Sequence, residues 1–182
     1  MKQFASIALI VLLISGCAPI QNKPSYQEFL MGGFDTKEWT IGNQTSDQNQ
    51  RIIEFVRPNE NIDNWTELLT SQIIRKPSNV VSIDVFVARL HNEDRKLCPE
   101  GFEQKVIARG QKTDTEEASV IYEWEMKDCA PNADQHEVAK IIYGKFSIFR
   151  LAYVERTNKL SSEKRQKWIN NLKEAKIVVL NK

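Results

Sequence analysis

Between Val120 and Lys127 the chain alternates with a period of two: Val120, Tyr122, Trp124 and Met126 fall on one side, Ile121, Glu123, Glu125 and Lys127 on the other. That period is the mark of a strand with one apolar and one mostly charged face, so the chain must build a sheet. Phe102 to Gly110 and Ala118 to Lys127 read as two strands joined by the polar turn Gln111 to Glu117. A hairpin centred near residue 114 places Cys98 and Cys129 opposite each other at its open end, and the two are expected to form a disulfide. Closing such a loop contributes about 3.5 kcal/mol in the chain-entropy account. A redox-active pair would need the closer C-x-x-C spacing.

The other elements follow from periodicity and punctuation. A short strand is expected around Lys37 to Gly42, then a polar turn Asn43 to Asn49 and a strand Arg51 to Arg57, stopped by Pro58 and the Asn59-Glu60-Asn61 cluster. Trp65, Leu68, Leu69 and Ile73 recur at helical spacing, predicting a helix from about Asp63 that Pro77 closes. A second helix is expected from Ser82 as N-cap to about Lys96, although Val80 to Val87 is β-branched enough to suit a strand. Glu137 to Glu155 is too long for one ordinary strand and reads as two, or one bent near Gly144 or Lys145. Ser161 or Ser162 caps a last helix through about Ala175, and Lys176 to Leu180 forms a strand-like tail that packs back on the sheet. The order β-β-α-α-β-β-β-β-α predicts an α+β fold, an antiparallel sheet with two or three helices packed on one face.

The first residues are of a different kind. Lys2 precedes the stretch Phe4 to Ile14, apolar except for Ser6 and too short to span a bilayer, which takes about 20 apolar residues. Its ending, Ile14-Ser15-Gly16-Cys17, resembles the lipobox of bacterial lipoproteins. The resemblance implies a signal peptide over residues 1–16, acyl chains including palmitate on Cys17, and, from Ala18 in place of Asp, sorting to the outer membrane with the domain facing the periplasm. Residues 17–36, with Pro19, Pro24, Gly32 and Gly33, are expected to form a flexible tether, and residues 37–182 a single domain. Removing residues 1–16 lowers Lys plus Arg from 25 to 24 against 24 Asp plus Glu, and that neutrality argues against a nucleic-acid partner.

The sequence offers little for catalysis. There is no G-x-S-x-G elbow, no phosphate-binding G-x-x-x-x-G-K-[ST] loop and no H-E-x-x-H pair. His91 and His136 are the only histidines and are too few for a zinc set, so no metal or cofactor is expected. Glu123 and Glu125 lie about 7 Å apart on one strand face, but that face reads as solvated, and a glycosidase-like pair needs a cleft.

Two further resemblances bear on function. Asn158-x-Leu160-Ser161-x-x-Lys164-Arg165 is similar to part of the peptidoglycan-binding motif of OmpA-like domains, though one spacing is a residue short, Lys164 stands for Arg, and a capped helix explains the same residues. Ile53-Glu54-Phe55-Val56-Arg57-Pro58-x-Glu60-x-Ile62-x-Asn64-Trp65-Thr66-Glu67-Leu68 resembles segments of small envelope domains similar to the PsbP/Mog1-like fold. That resemblance implies an antiparallel sheet flanked by helices that serves mainly as a binding module.

These features point to a non-enzymatic, lipid-anchored domain that binds another envelope protein, for instance as an accessory of a type IV, Dot/Icm-like secretion core. Tyr26, Phe29, Tyr143, Phe149 and Tyr153 are the candidate interface aromatics. The alternatives are a carrier or sensor of a small apolar ligand, with a pocket lined by Tyr122, Trp124 and Phe146, and a hydrolase that uses Glu123 and Glu125.

Overall fold

The structure, a computed structural model, describes residues 26–181 except 33, 36, 130–133 and 158, and for 26, 27 and 181 the backbone alone. The lipobox, Cys17 and the tether up to residue 25 lie outside the described residues. In chain order the elements are β1 (Tyr26–Met31), β2 (Thr40–Ser46), β3 (Gln50–Val56), β4 (Glu67–Arg75), α1 (Ile83–Leu90), α2 (Asn92–Leu97), β5 (Phe102–Gly110), β6 (Ala118–Met126), β7 (Gln135–Tyr143), β8 (Ser147–Glu155), α3 (Ser162–Glu174) and β9 (Lys176–Asn181). Seven strands form one antiparallel sheet in the order β2-β3-β4-β8-β7-β6-β5, and β1 pairs with β9 in a separate two-stranded ribbon.

The class is α+β, as expected, but the helices are not all on one face. Tyr122, Trp124 and Met126 of β6 pack with Ala139, Ile141 and Tyr143 of β7 and with Val87 of α1. Ile121, Val138, Leu151 and Tyr153 point the other way and pack with Trp168, Ile169 and Leu172 of α3. The ribbon lies on the α3 side, where Ile177, Leu30 and Val179 meet Ile142, Phe149 and Ile73. Both faces of the sheet are therefore covered. The face of β6 expected to be solvated lies under α3, and Glu123 is buried there.

The predicted helix from Asp63 to Pro77 is instead β4, and the reason is local. The Asn61 side chain, just ahead of the expected helix start, accepts hydrogen bonds from the backbone N–H groups of Asp63 and Asn64 at 3.0 Å each. Glu60 then accepts from the N–H and hydroxyl of Thr66, so the polar cluster closes a loop. Leu68 and Leu69 face opposite sides of the sheet, one packed with Val154 and the other with Tyr153. A strand covered on both sides loses its alternation and mimics a helical stripe.

The second predicted helix is correct at its start, where Ser82 caps α1 by accepting from the N–H of Val85, and is broken at His91 into α1 and α2. Residues 26–31, counted with the flexible tether, are β1. The tail forms β9 and pairs with β1 rather than with the main sheet. The hairpin register is as expected, with Phe102 facing Met126, and Cys98 and Cys129 form the predicted disulfide with their Cα atoms 5.5 Å apart. Gly101 sits beside it because an added Cβ would lie 2.0 Å from the Lys127 carbonyl oxygen.

Candidate functional site

Opposite residues of an antiparallel ribbon share a face, so pairing Phe29 with Val178 and Leu30 with Ile177 fixes which side each presents. Leu30, Ile177 and Val179 go inward to the core. Phe29, Met31 and Leu180 go outward and are 41%, 53% and 55% exposed, with Val178 between them. The outer face of the ribbon thus carries three exposed apolar side chains, with the exposed Lys176 opposite Met31 on the same face.

The β1 side of this ribbon borders a cleft of about 730 Å³. Its walls are Glu28 and Phe29 of β1, the β2–β3 turn at residues 46–50, the end of β4 with Ile73, Arg75 and Lys76, and the β7–β8 turn at Lys145, Phe146 and Ser147. Each piece has a sequence cause. Asp47 makes the β2–β3 turn by accepting from the N–H groups of Asn49 and Gln50 at 2.6 and 2.9 Å, and those bonds hold its carboxyl below the usual carboxylate range. At the β7–β8 turn Gly144 is required by a close approach, since a Cβ there would sit 2.7 Å from a Glu28 carboxylate oxygen. That carboxylate accepts three backbone N–H groups of the turn: Lys145 at 2.6 Å, Phe146 at 3.0 Å and Ser147 at 2.8 Å. Glu28 thereby fastens the ribbon to the main sheet.

The cleft carries four cations, Arg51, Arg75, Lys76 and Lys145, against two carboxylates, Glu28 and Asp47, both turned onto backbone N–H groups. Lys76 is paired with Glu117 and donates to the Gly144 carbonyl at 3.0 Å. The guanidinium groups of the exposed Arg51 and Arg75 have no hydrogen-bond or ionic partner among the described residues. Phe29 and Phe146 supply the apolar part of the wall.

Of the five aromatics expected at an interface, Phe29 is exposed and sits in this site. The Tyr26 side chain lies outside the described residues. Tyr143, Phe149 and Tyr153 are corrected to core positions: all three are buried, because β7 and β8 are central strands covered on both faces. Burial pushes the Tyr143 hydroxyl up to about 12, and it donates to the Val81 carbonyl at 3.2 Å. Met31, Leu180, Arg51 and Arg75 were missed, since exposed side chains near strand ends carry no periodic signal.

The other expected sites are dispersed. Tyr122 and Trp124 are core residues on the α1 side, whereas Phe146 lies at the cleft, so the proposed ligand pocket is not formed by these three. Tyr122 belongs to a buried polar cluster in which its hydroxyl donates to Glu137 at 3.2 Å and accepts from Arg150, while Arg150 donates to the other Glu137 oxygen at 2.7 Å. His91 reaches the same hydroxyl at 3.3 Å. This cluster lines neither the cleft nor the small pocket described next, and it reads as a satisfied internal network.

Glu123 accepts from Arg165 of α3 at 2.5 Å and from Lys105 at 2.6 Å. Burial would raise its carboxyl, but those two cations outweigh burial and hold it below the usual range. A carboxylate so held has no proton to give as a general acid. Glu125 pairs with Lys127 at 2.8 Å. A pocket of about 60 Å³ between Glu123, Glu125, Trp124 and His136 is too small for a sugar. Among the described residues no group of three or more His, Cys, Asp or Glu is placed to hold a metal ion.

The residues that resemble a wall-binding motif have internal roles. Leu160 is core, Ser161 caps α3 by accepting from the N–H of Lys164 at 3.2 Å, and Lys164 bridges Glu67 and Glu155 at 2.8 and 2.9 Å. Asn158 lies outside the described residues.

The chain matches no protein-family model, and no curated protein matches its sequence. Among solved structures it is similar to the solution structure of cyanobacterial PsbP (CyanoP) from Synechocystis sp. PCC 6803, at 12% identity and a TM-score of 0.51 over 91% of this chain and 99% of that one. At that identity the likeness speaks for the backbone alone, and it bears out the expected resemblance: the chain has a PsbP-like α+β fold.

Proposed function

We propose that this chain is a non-enzymatic envelope lipoprotein, anchored through acylated Cys17, whose α+β domain binds another envelope protein through the outer face of the β1–β9 ribbon and the adjoining cleft. The observation that carries the reading is the exposed Phe29, Met31 and Leu180, with the half-buried Val178, on one face of the ribbon beside a basic cleft. An apolar strip rimmed by charge is the ordinary anatomy of a docking surface. The carboxylates available for acid–base work support the same reading, since Glu123 and Glu125 are held in ion pairs.

The tether fits this geometry. Eight residues separate Cys17 from Tyr26, and at about 3.5 Å per residue the ribbon stays within roughly 30 Å of an anchored Cys17. A partner embedded in or lying along the outer membrane is within reach of that surface. An accessory place in a secretion core of the type IV kind is one arrangement that meets these conditions.

Two measurements in cells test the reading. Palmitate is expected to label the protein and to be lost with Cys17→Ser. A photo-crosslinking residue at position 31 is expected to capture one envelope protein, whereas the same residue at position 113, exposed in the β5–β6 turn, captures none. Unlabelled protein would remove the anchor, and equal capture at both positions would remove the docking surface.

A further inference from the structure

We infer that the cleft receives an extended acidic segment of the partner, which adds as a strand to the open edge of β1 and places alternate carboxylates on Arg51 and Arg75. The inference rests on the reading of the domain as a protein-binding module and names the chemistry that module recognises. Three observations carry it.

The first is the edge. Among the described residues β1 has one strand neighbour, β9, and the cleft is walled by Glu28 and Phe29 of β1 but by no residue of β9. The backbone groups of β1 that face away from β9 therefore border the cleft. An unpaired edge beside a groove is the template for strand addition, in which main-chain hydrogen bonds give affinity and side-chain pockets give selectivity.

The second is spacing. Arg51 faces Ile73 across the β3–β4 ladder, and Arg75 lies two residues beyond Ile73, so the two arginines are diagonal neighbours on the α3 side of the sheet. Diagonal neighbours stand about 7 Å apart, and residues i and i+2 of an extended chain are also separated by about 7 Å. Two alternate Glu or Asp side chains on one face of an added strand match the pair, and each guanidinium can take its carboxylate through two N–H groups.

The third is charge. Counted after residue 16 the chain is formally neutral, yet the cleft holds Arg51 and Arg75 without a side-chain partner among the described residues, whereas Lys76 is paired with Glu117 and both cleft carboxylates are engaged by turn N–H groups. The exposed Phe29 adds an apolar surface for a neighbouring side chain of the segment. A polypeptide satisfies the edge, the arginine pair and the apolar wall together, whereas a lipid headgroup leaves the strand edge unpaired.

The probe is the peptide Thr-Glu-Val-Glu-Phe-Thr, titrated into the chain from residue 17 onward carrying Cys17→Ser, which keeps every described strand and helix. Binding is expected, with added hydrogen-exchange protection confined to β1. The twin Thr-Lys-Val-Lys-Phe-Thr is expected not to bind. Arg51→Glu with Arg75→Glu is expected to weaken binding by at least about tenfold, the size of one charge-assisted contact, and Arg51→Gln with Arg75→Gln to weaken it in the same sense, both with unchanged melting.

Equal binding of the twin, unchanged binding by the charge-reversed chain, or arginine-dependent binding of phosphatidylglycerol vesicles without peptide binding would each overturn the inference. In cells the two proposals separate. A position-31 crosslink that survives Arg51→Glu with Arg75→Glu overturns the acidic segment and spares the docking surface, while absence of any crosslink overturns the docking surface and leaves the peptide titration to decide the cleft.

Discussion

Glu28 reaches the β7–β8 turn from a strand more than a hundred residues away in sequence and accepts three of its backbone N–H groups. Hydrogen bonds to a charged acceptor are the stronger ones, but this carboxylate is only half-buried, so water replaces part of what is lost on truncation. Glu28→Ala is expected to cost about 1–2 kcal/mol by denaturant unfolding. Hydrogen exchange is expected to quicken at Leu30 and Val179 while β6 and β7 stay protected. A uniform loss of protection would mean that the ribbon is not a separately fastened element.

His136 gives a pH signature. The N–H of Leu160 donates to its Nδ1 at 3.1 Å, so the neutral ring carries its proton on Nε2, 3.9 Å from Glu123. Burial pushes the imidazole below its ordinary 6.5, and Glu123 and Glu125 only partly oppose that. Above pH 6.5 the ring is neutral in both states and favours neither. As pH falls below 6.5 the unfolded chain takes up the proton first, so stability declines toward the lower folded value. His136→Asn is expected to flatten the stability profile between about pH 7 and pH 5 relative to the wild type; parallel profiles would contradict the assignment. Glu67 and Glu123, whose carboxyls are held below 4.5, withdraw their support only in the more acidic range. None of this was legible in the sequence, where His136 stands between Gln135 and Glu137 and Glu123 falls on the charged side of an alternating strand, and the docking of α3 buries them.

Among the elements, the β5–β6 hairpin was the most legible because two independent signals agreed on its register, the alternation of β6 and the positions of Cys98 and Cys129. The disulfide links the end of α2 to the exit of β6, and both sulfurs are buried. Replacing both cysteines by alanine is expected to cost about 3.5 kcal/mol in the chain-entropy account, a fall in melting temperature of roughly 7–14 °C for a domain of this size. A change below about 1 kcal/mol would show that the hairpin and α2 hold together without the link. β4 was the least legible element. Its neighbours on both sides erase the alternation, and Asn61 offers the same signal for a turn as for a helix cap. β1 was hidden for a related reason: a six-residue strand among Pro and Gly reads as linker until β9, at the other end of the chain, supplies its partner.

At the scale of the molecule, α1 packs on one face of a seven-stranded sheet, and α3 with the ribbon covers the other. That arrangement buries Tyr143, Phe149 and Tyr153 and leaves the ribbon's outer row and the cleft as the apolar and basic surface nearest the tether. The exposed apolar side chains that the proposed docking surface uses are placed together by the β1–β9 pairing and could not be read from either segment alone. The most direct measurement of this account is recovery of the crosslinked partner from cells with Phe29→Asp and Met31→Asp together, set against Leu97→Asp, which changes an exposed apolar residue of α2 on the opposite face. Loss of the partner with the ribbon pair and its retention with Leu97→Asp is the expected result; retention with the ribbon pair, in protein that remains folded and anchored, would contradict it.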